Sequence, residues 1–410
     1  MKITDYIFSD ENTSHTKYVR MSTYFFEIIN MENKILFEPF TFNNGVKVNS
    51  RLTVAPLTLF ASNPDGSVSK GEEQFFSTRA EHVGMYIQGA TMVSLNGLAF
   101  PCQPRAISDS DLDALKQRAQ IIKKQGALSI VQIHHGGEFA LPEFTGEAPL
   151  SSSAHGDVKE LTEEQIQRII SDFARATELC IKAGNNGVEI HGANQYLLQQ
   201  FFSAKVNHRT DKWGGSLENR LRFPMAVVDA VCAVREKLNR PDFIIGYRLS
   251  PEEPGENGIT MSETVELLNA LVKKPIQYLH ISQWSFTKNV RRGVGEGSPR
   301  LKVIHDTVKG KLPIVGVGSL FTMNDYIEAM KSGYVEFVGC GKSVMINPHL
   351  GTKLFEGKAD EITLELDPQK EDHYGIPDPL WGMCQKGDDW LPPVKGKEKK
   401  PGPFSSITEY

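Results

Sequence analysis

From residue 51 onward the chain alternates short, nearly continuous apolar runs with longer stretches in which apolar positions recur at helical spacing. The runs are RLTVAPL (51–57), GMYIQGA (84–90), LSIVQIHH (128–135), GVEIHGA (187–193), FIIGYRLS (243–250), IQYLHIS (276–282), LPIVGVG (312–318) and VEFVGCG (335–341). Each is followed by an amphipathic pattern, such as TEEQIQRIISDFARATELCIKAG after the third or SETVELLNALVKK after the fifth. Continuously apolar strands separated by helices predict a parallel sheet covered by helices. Eight such units predict a closed (β/α)8 TIM barrel, an α/β fold. An open doubly wound sheet is the alternative, but no GxGxxG follows the first strand to support it. The connection after the third strand, about 136–161, is long and rich in Gly and Pro, as expected of an active-site loop or lid.

Both ends of the chain read differently from its middle. Residues 1–30 are polar, with no basic segment leading into an apolar one, so they predict a dispensable extension and no signal peptide; Met21 and Met31 are alternative starts. The barrel is expected over 31–355. Residues 356–410 are expected to form an extension or tail on the barrel surface, and the run KGDDWLPPVKGKEKKPGPFSS within them has a solvated, loop-forming composition.

Composition narrows the partners. The 410 residues are 40% hydrophobic and 23% charged, enough apolar material for a large core, which predicts a soluble globular protein. A net charge of -5 leaves no footprint for nucleic acid, and the longest apolar runs are too short to span a bilayer. The five cysteines are widely separated without a CxxC pair, which predicts structural, reduced thiols in a cytoplasmic protein and no zinc or iron–sulfur site.

In a barrel the C-terminal strand ends carry the site, so polar residues there are candidates. Thr58 follows the first strand, Ala90 ends the second, Gln132 and His134 lie in the third, His191 and Asn194 end the fourth, and Arg248 ends the fifth. The seventh and eighth strands end in GVGS (316–319) and GCGK (339–342), each opening a helix. Taken singly, either loop could be a plain tight turn. Two in succession, with Lys342 attached, predict an anion held by backbone N–H groups at the usual barrel phosphate position. His134 and His135 have no suitably spaced carboxylate or cysteine and are read as ordinary strand-end histidines.

The segment GVEIHGANQYLLQQFFSAKVNHRTDKWGGSLENRLRF (187–223), with RLTVAPLT, VQIHHGG, GYRLSP, GVGS and GCGK…NP, resembles the old yellow enzyme family of flavin-dependent ene-reductases over roughly 33–350. The resemblance implies FMN bound noncovalently on a single barrel and reduced by NADH or NADPH. It implies that Ala55, Pro56, Leu57 and Thr58 run along the flavin, with the Thr58 hydroxyl near O4, and that Ala90 and Gln132 border the ring. Arg248 would sit near N1 and O2, where a cation favours the reduced flavin. Gly318, Ser319, Gly341 and Lys342 would hold the phosphate. Lys342 departs from the family's usual arginine, which keeps the charge but loses the planar fork. His191 and Asn194 would bind the oxygen of an electrophilic alkene, and Tyr196 would deliver a proton. Phe60 is placed to overhang the site. The WGGS turn is read as structural, with Ser216 capping the following helix.

Two other classes stay open from the residues: a phosphate-binding barrel lyase or aldolase without flavin, and a non-catalytic flavin-binding module. A small electrophilic alkene is the expected partner, and a homo-oligomer is compatible with the sequence.

Overall fold

A computed structural model describes residues 32–402. The expected extension at 1–30 lies outside the described residues. Eight parallel strands close into a barrel: β1 (Leu52–Val54), β2 (Met85–Met92), β3 (Leu128–His134), β4 (Gly187–Gly192), β5 (Ile244–Leu249), β6 (Tyr278–Ile281), β7 (Ile314–Gly316) and β8 (Phe337–Cys340). Closure runs through β8 against β1, with Val338 opposite Leu52 and Cys340 opposite Val54. Apart from β2, which reaches Met92, the strands are shorter than the apolar runs, several of which continue past the last paired residue into cavity-lining loops. RLTVAPL, for example, pairs only over Leu52–Val54, and Ala55 to Leu57 leave the sheet to face the cavity.

Helices α1 (Lys70–Phe76), α2 (Leu112–Lys123), α3 (Glu163–Lys182), α4 (Leu217–Lys237), α5 (Met261–Leu271), α6 (Arg300–Val308), α7 (Met323–Lys331) and α8 (Leu350–Phe355) wrap the strands. Their starts are encoded locally. Capping boxes set α1 (Ser69 with Glu72), α3 (Thr162 with Gln165), α5 (Thr260 with Glu263) and α7 (Thr322 with Asp325), so two orphan N–H groups are satisfied at each start. Ser216 caps α4 through the Asn219 N–H, as its sequence predicts.

A hairpin pairing Phe40–Thr41 with Lys47–Val48 covers the N-terminal mouth of the barrel. Its Phe42 stacks on Phe337 at 5.5 Å, and the cluster continues inward through Met85, Ile130, Ile244 and Tyr278. That mouth is therefore packed shut, and the C-terminal mouth is left for chemistry.

Residues 356–402 pack on the barrel. Leu366, Tyr374, Leu380, Trp381, Cys384 and Leu391 are buried in the same core as the outer helices, and buried Arg79 ties the segment down by donating to the Tyr374 and Val344 carbonyls. The basic run at 395–400 is exposed throughout, as its composition predicts. The Lys399 ammonium turns inward and donates to the carbonyls of Asp388 (3.1 Å), Pro392 (2.9 Å) and Leu391. It thereby fixes the loop that carries Trp390. The five cysteines are free thiols, with Cys102 exposed and the others buried. No helix among the described residues is long and apolar enough to cross a membrane, and no group of three or more His, Cys, Asp or Glu there could hold a metal.

Candidate active site

Two adjoining cavities of about 180 and 170 Å³ open at the C-terminal mouth and share Pro56, Leu57, Asn194 and Arg248. The first is also lined by Ala55, Gly318, Ser319, Gly341 and Lys342, at the ends of β1, β7 and β8. The second is also lined by Thr58, Ala90, Gln132, His191 and Tyr196. The sequence candidates therefore converge on one continuous depression, including those more than 250 residues apart.

The first cavity is a backbone cradle. Gly318 has φ +127, and a Cβ there would lie 2.6 Å from the Phe286 nitrogen, so only glycine fits. Gly341 has nothing within 4 Å in the direction of a Cβ, which leaves room for a ligand. The Lys342 ammonium lies 3.6 Å from the centre of the Trp284 ring and 3.1 Å from the Asp389 carbonyl oxygen. Burial, with Lys399 nearby, pulls it down to about 7 although Asp389 opposes the shift. Ser319 holds Trp284 from the other side by donating to its carbonyl.

The second cavity is set for hydrogen-bond donation. His191 Nδ1 accepts from the Ala193 N–H at 3.3 Å, so the proton of a neutral imidazole resides on Nε2. Burial holds this imidazole well below its ordinary value, and His134, Arg248 and His280 add to the effect. Asn194 Oδ1 accepts from Ser282 Oγ at 2.7 Å, an orientation in which Nδ2 is its donor. Asn194 adopts φ 56 at the strand end, and its own N–H donates to Ser250 Oγ at 2.9 Å.

Tyr196 is clamped edge-on by rings of His134 (4.4 Å), His191 (5.1 Å), Phe100 (5.9 Å) and Phe139 (5.9 Å). Burial pushes its phenol far above its ordinary value, so the hydroxyl keeps its proton at neutral pH. Phe60 lines the second cavity with Trp390 6.5 Å away.

The sequence assigned no role in the site to three of these neighbours. His134, read as an ordinary strand-end residue, is fully buried beneath Tyr196, with Nδ1 against Gln103 at 3.1 Å. Trp284 belongs to no motif, and Trp390 sits inside the Pro/Gly/Lys-rich tail. The DDWLPP element offered one signal, a large aromatic inside an otherwise loop-forming stretch.

A model of the NADH:flavin oxidoreductase / NADH oxidase family matches residues 35–361. The chain belongs to this family. It is 40% identical over 370 residues to "Probable NADH-dependent flavin oxidoreductase YqiG" of Bacillus subtilis (strain 168), covering 89% of this chain and 99% of that one. It is 36% identical to the NADH:acrylate oxidoreductase of Vibrio harveyi over 84% of this chain, but spans only 35% of that longer protein. Its fold is similar to the old yellow enzyme homologue of Zymomonas mobilis, with a TM-score of 0.70 and 25% identity over 83% of this chain and 99% of that one. As a family member the chain is an oxidoreductase with FMN as cofactor and NAD(P)H as reductant.

The residues present fit that cofactor. The glycine cradle with Lys342 suits a phosphate, and the buried Arg248 Nε lacks a protein partner beside the cavity, where a ring carbonyl or nitrogen can take it.

Proposed function

We propose that the protein reduces the C=C bond of activated alkenes, such as enones, enals and nitroalkenes, in alternating half-reactions with NAD(P)H and substrate. When bound, FMN would supply hydride transfer between NAD(P)H and the alkene's β-carbon. The observation that carries this reading is the pair of neutral donors, His191 Nε2 and Asn194 Nδ2, on the same cavity as a phenol that stays protonated. Two donors stabilise the negative charge that develops on a carbonyl or nitro oxygen as the β-carbon is attacked. Tyr196 then gives its proton to the α-carbon. Relatives named for acrylate and for 12-oxophytodienoate agree with an unsaturated carbonyl substrate. Ala55, Pro56, Leu57, Ala90 and Gln132 would border the ring, and Gly318, Ser319, Gly341 and Lys342 would hold the phosphate.

The test is direct. Purified protein should be yellow, release one FMN per chain on denaturation, and oxidise NADH or NADPH when 2-cyclohexenone is added. A colourless protein that takes up no FMN would return the lyase reading. A yellow protein inert toward every activated alkene would favour the binding-module reading.

The Lys342 environment gives a pH prediction. An amine at about 7 is charged below that pH and neutral above it, so its attraction for phosphate fades as pH rises. The dissociation constant for FMN should climb above about pH 7 in the parent. It should be lower and flat in Lys342→Arg, whose guanidinium stays charged, and higher by roughly tenfold or more in Lys342→Ala. Fluorescence titration with FMN from pH 6 to 9 reads all three, and identical curves would remove Lys342 from the phosphate site.

Thr58 and Arg248 are the groups proposed to stabilise negative charge on the reduced ring. Thr58→Ala should lower the flavin potential by roughly 20–30 mV, the worth of one net hydrogen bond, slow reduction by NAD(P)H and speed reoxidation. Potentiometry that finds no change or a rise would exclude Thr58 from that role.

A further inference from the structure

The strand β4 carries a carboxylate inside the barrel that the proposed chemistry does not use. Glu189 is completely buried, in the layer below the cavity, and accepts from three side chains. These are Gln132 Nε2 (2.7 Å) from β3, and Tyr278 Oη (3.0 Å) and His280 Nδ1 (2.9 Å) from β6. The arrangement follows from strand register, since Gln132, Glu189, Gly246 and Tyr278 are successive partners across β3, β4, β5 and β6. Gly246 is what lets it form. A Cβ there would lie 2.1 Å from the Tyr278 ring, so any other residue would block the ring from crossing β5 to reach β4. One register step nearer the cavity, His191, Arg248 and His280 are partners in turn.

Burial opposes ionisation of Glu189, but the hydrogen bonds from His280 and Gln132 and the charge of Arg248 hold the carboxyl below the usual range. Burial keeps His280 below its ordinary value as well, so a neutral imidazole donates Nδ1–H to a carboxylate. A carboxylate only accepts. The Gln132 amide must therefore turn its NH₂ toward Glu189, and its Oε1 stands on the other side, toward Gly89 and the cavity that Gln132 lines.

We propose that Glu189 is a positioning residue for the flavin, acting in two ways that rest on the FMN reading given above. It fixes Gln132 with an acceptor toward the cavity, the polarity that a pyrimidine N–H requires. It also keeps a buried anion near Arg248, which offsets part of that cation's stabilisation of charge on the reduced ring. The flavin potential is thus set by the pair rather than by Arg248 alone.

Three variants of the full FMN-loaded protein test this by potentiometry and FMN titration. In Glu189→Gln the anion is gone and the amide can let Gln132 flip. The ratio of affinities for reduced over oxidised FMN should rise about tenfold, which is about +30 mV for a two-electron couple, and oxidised FMN should bind more weakly. Glu189→Asp keeps the charge and should keep a potential near the parent's even where the shorter side chain lowers stability. Tyr278→Phe leaves the carboxylate but withdraws a donor that disperses its charge, so its potential should move the opposite way, downward. Parent-like potentials in both Glu189→Gln and Tyr278→Phe, or shifts of the same sign in these two, overturn the proposal and leave Glu189 as packing. If Glu189→Gln does not fold, the sign of the Tyr278→Phe shift decides. A parent that takes up no FMN would sink the flavin reading itself, a result distinct from variants that bind FMN at an unchanged potential.

Discussion

Tyr196→Phe should slow alkene reduction by roughly a hundredfold to ten-thousandfold, the usual worth of a positioned acid, with the NAD(P)H half-reaction nearly untouched. The selectivity of the effect follows from the packing around the ring. Four aromatic neighbours hold it edge-on, and phenylalanine keeps the same ring, so the cavity should retain its shape and only the transferable proton is lost. Because burial holds the phenol far above its ordinary value, the parent's proton is present throughout the neutral range, and the rate should not fall between pH 6 and 9 from loss of this acid. Rapid mixing separates the half-reactions. A Tyr196→Phe protein reoxidised by 2-cyclohexenone at the parent rate would mean that water or another group supplies the proton.

His191→Ala and Asn194→Ala should each weaken binding of a phenol by about 10- to 100-fold, because the bound phenolate would use the same two donors as the substrate oxygen. Each should also slow enone reduction by roughly a hundredfold or more, the effect of removing one donor from a developing oxyanion. The structure adds a graded control. Ser282 Oγ holds the Asn194 side chain by donating to its Oδ1, so Ser282→Ala should cost less than Asn194→Ala but act on the same two measurements. Spectral titration with a para-substituted phenol and single-turnover reoxidation give both readouts. If Asn194→Ala binds phenol as the parent does, the asparagine serves only to close the strand end.

Most of the barrel was legible in the sequence because buried parallel strands need apolar residues on both faces, and that pattern leaves eight separate runs. What could not be read was where pairing stops. Gln132 and His134 look alike as polar residues in an apolar run, yet one lines the cavity and the other packs beneath Tyr196, and only the register with β2 and β4 separates them. Glu189 sat in plain view within GVEIHGA. A lone acid in a strand buried on both faces needs partners, but its partners come from β3 and β6, and no local spacing reveals them. Trp390 was hidden for a different reason: its surroundings have the composition of a solvated tail, yet buried Leu391 and Val394, the backbone hydrogen bond from Asp389 to Lys400, and the Lys399 ammonium together give that stretch its fixed position.

That last arrangement separates two properties of the enzyme along the chain. The family model ends at residue 361, while the aromatic wall at Trp390 and the carbonyl that meets Lys342 at Asp389 come from beyond it. Groups proposed to hold the cofactor and carry the chemistry lie on the strands and the loops that follow them, and part of the cavity wall comes from a segment outside the family's match. A graft of another relative's residues in place of 362–402 would therefore redraw the outline of the pocket while every barrel strand stayed as it is.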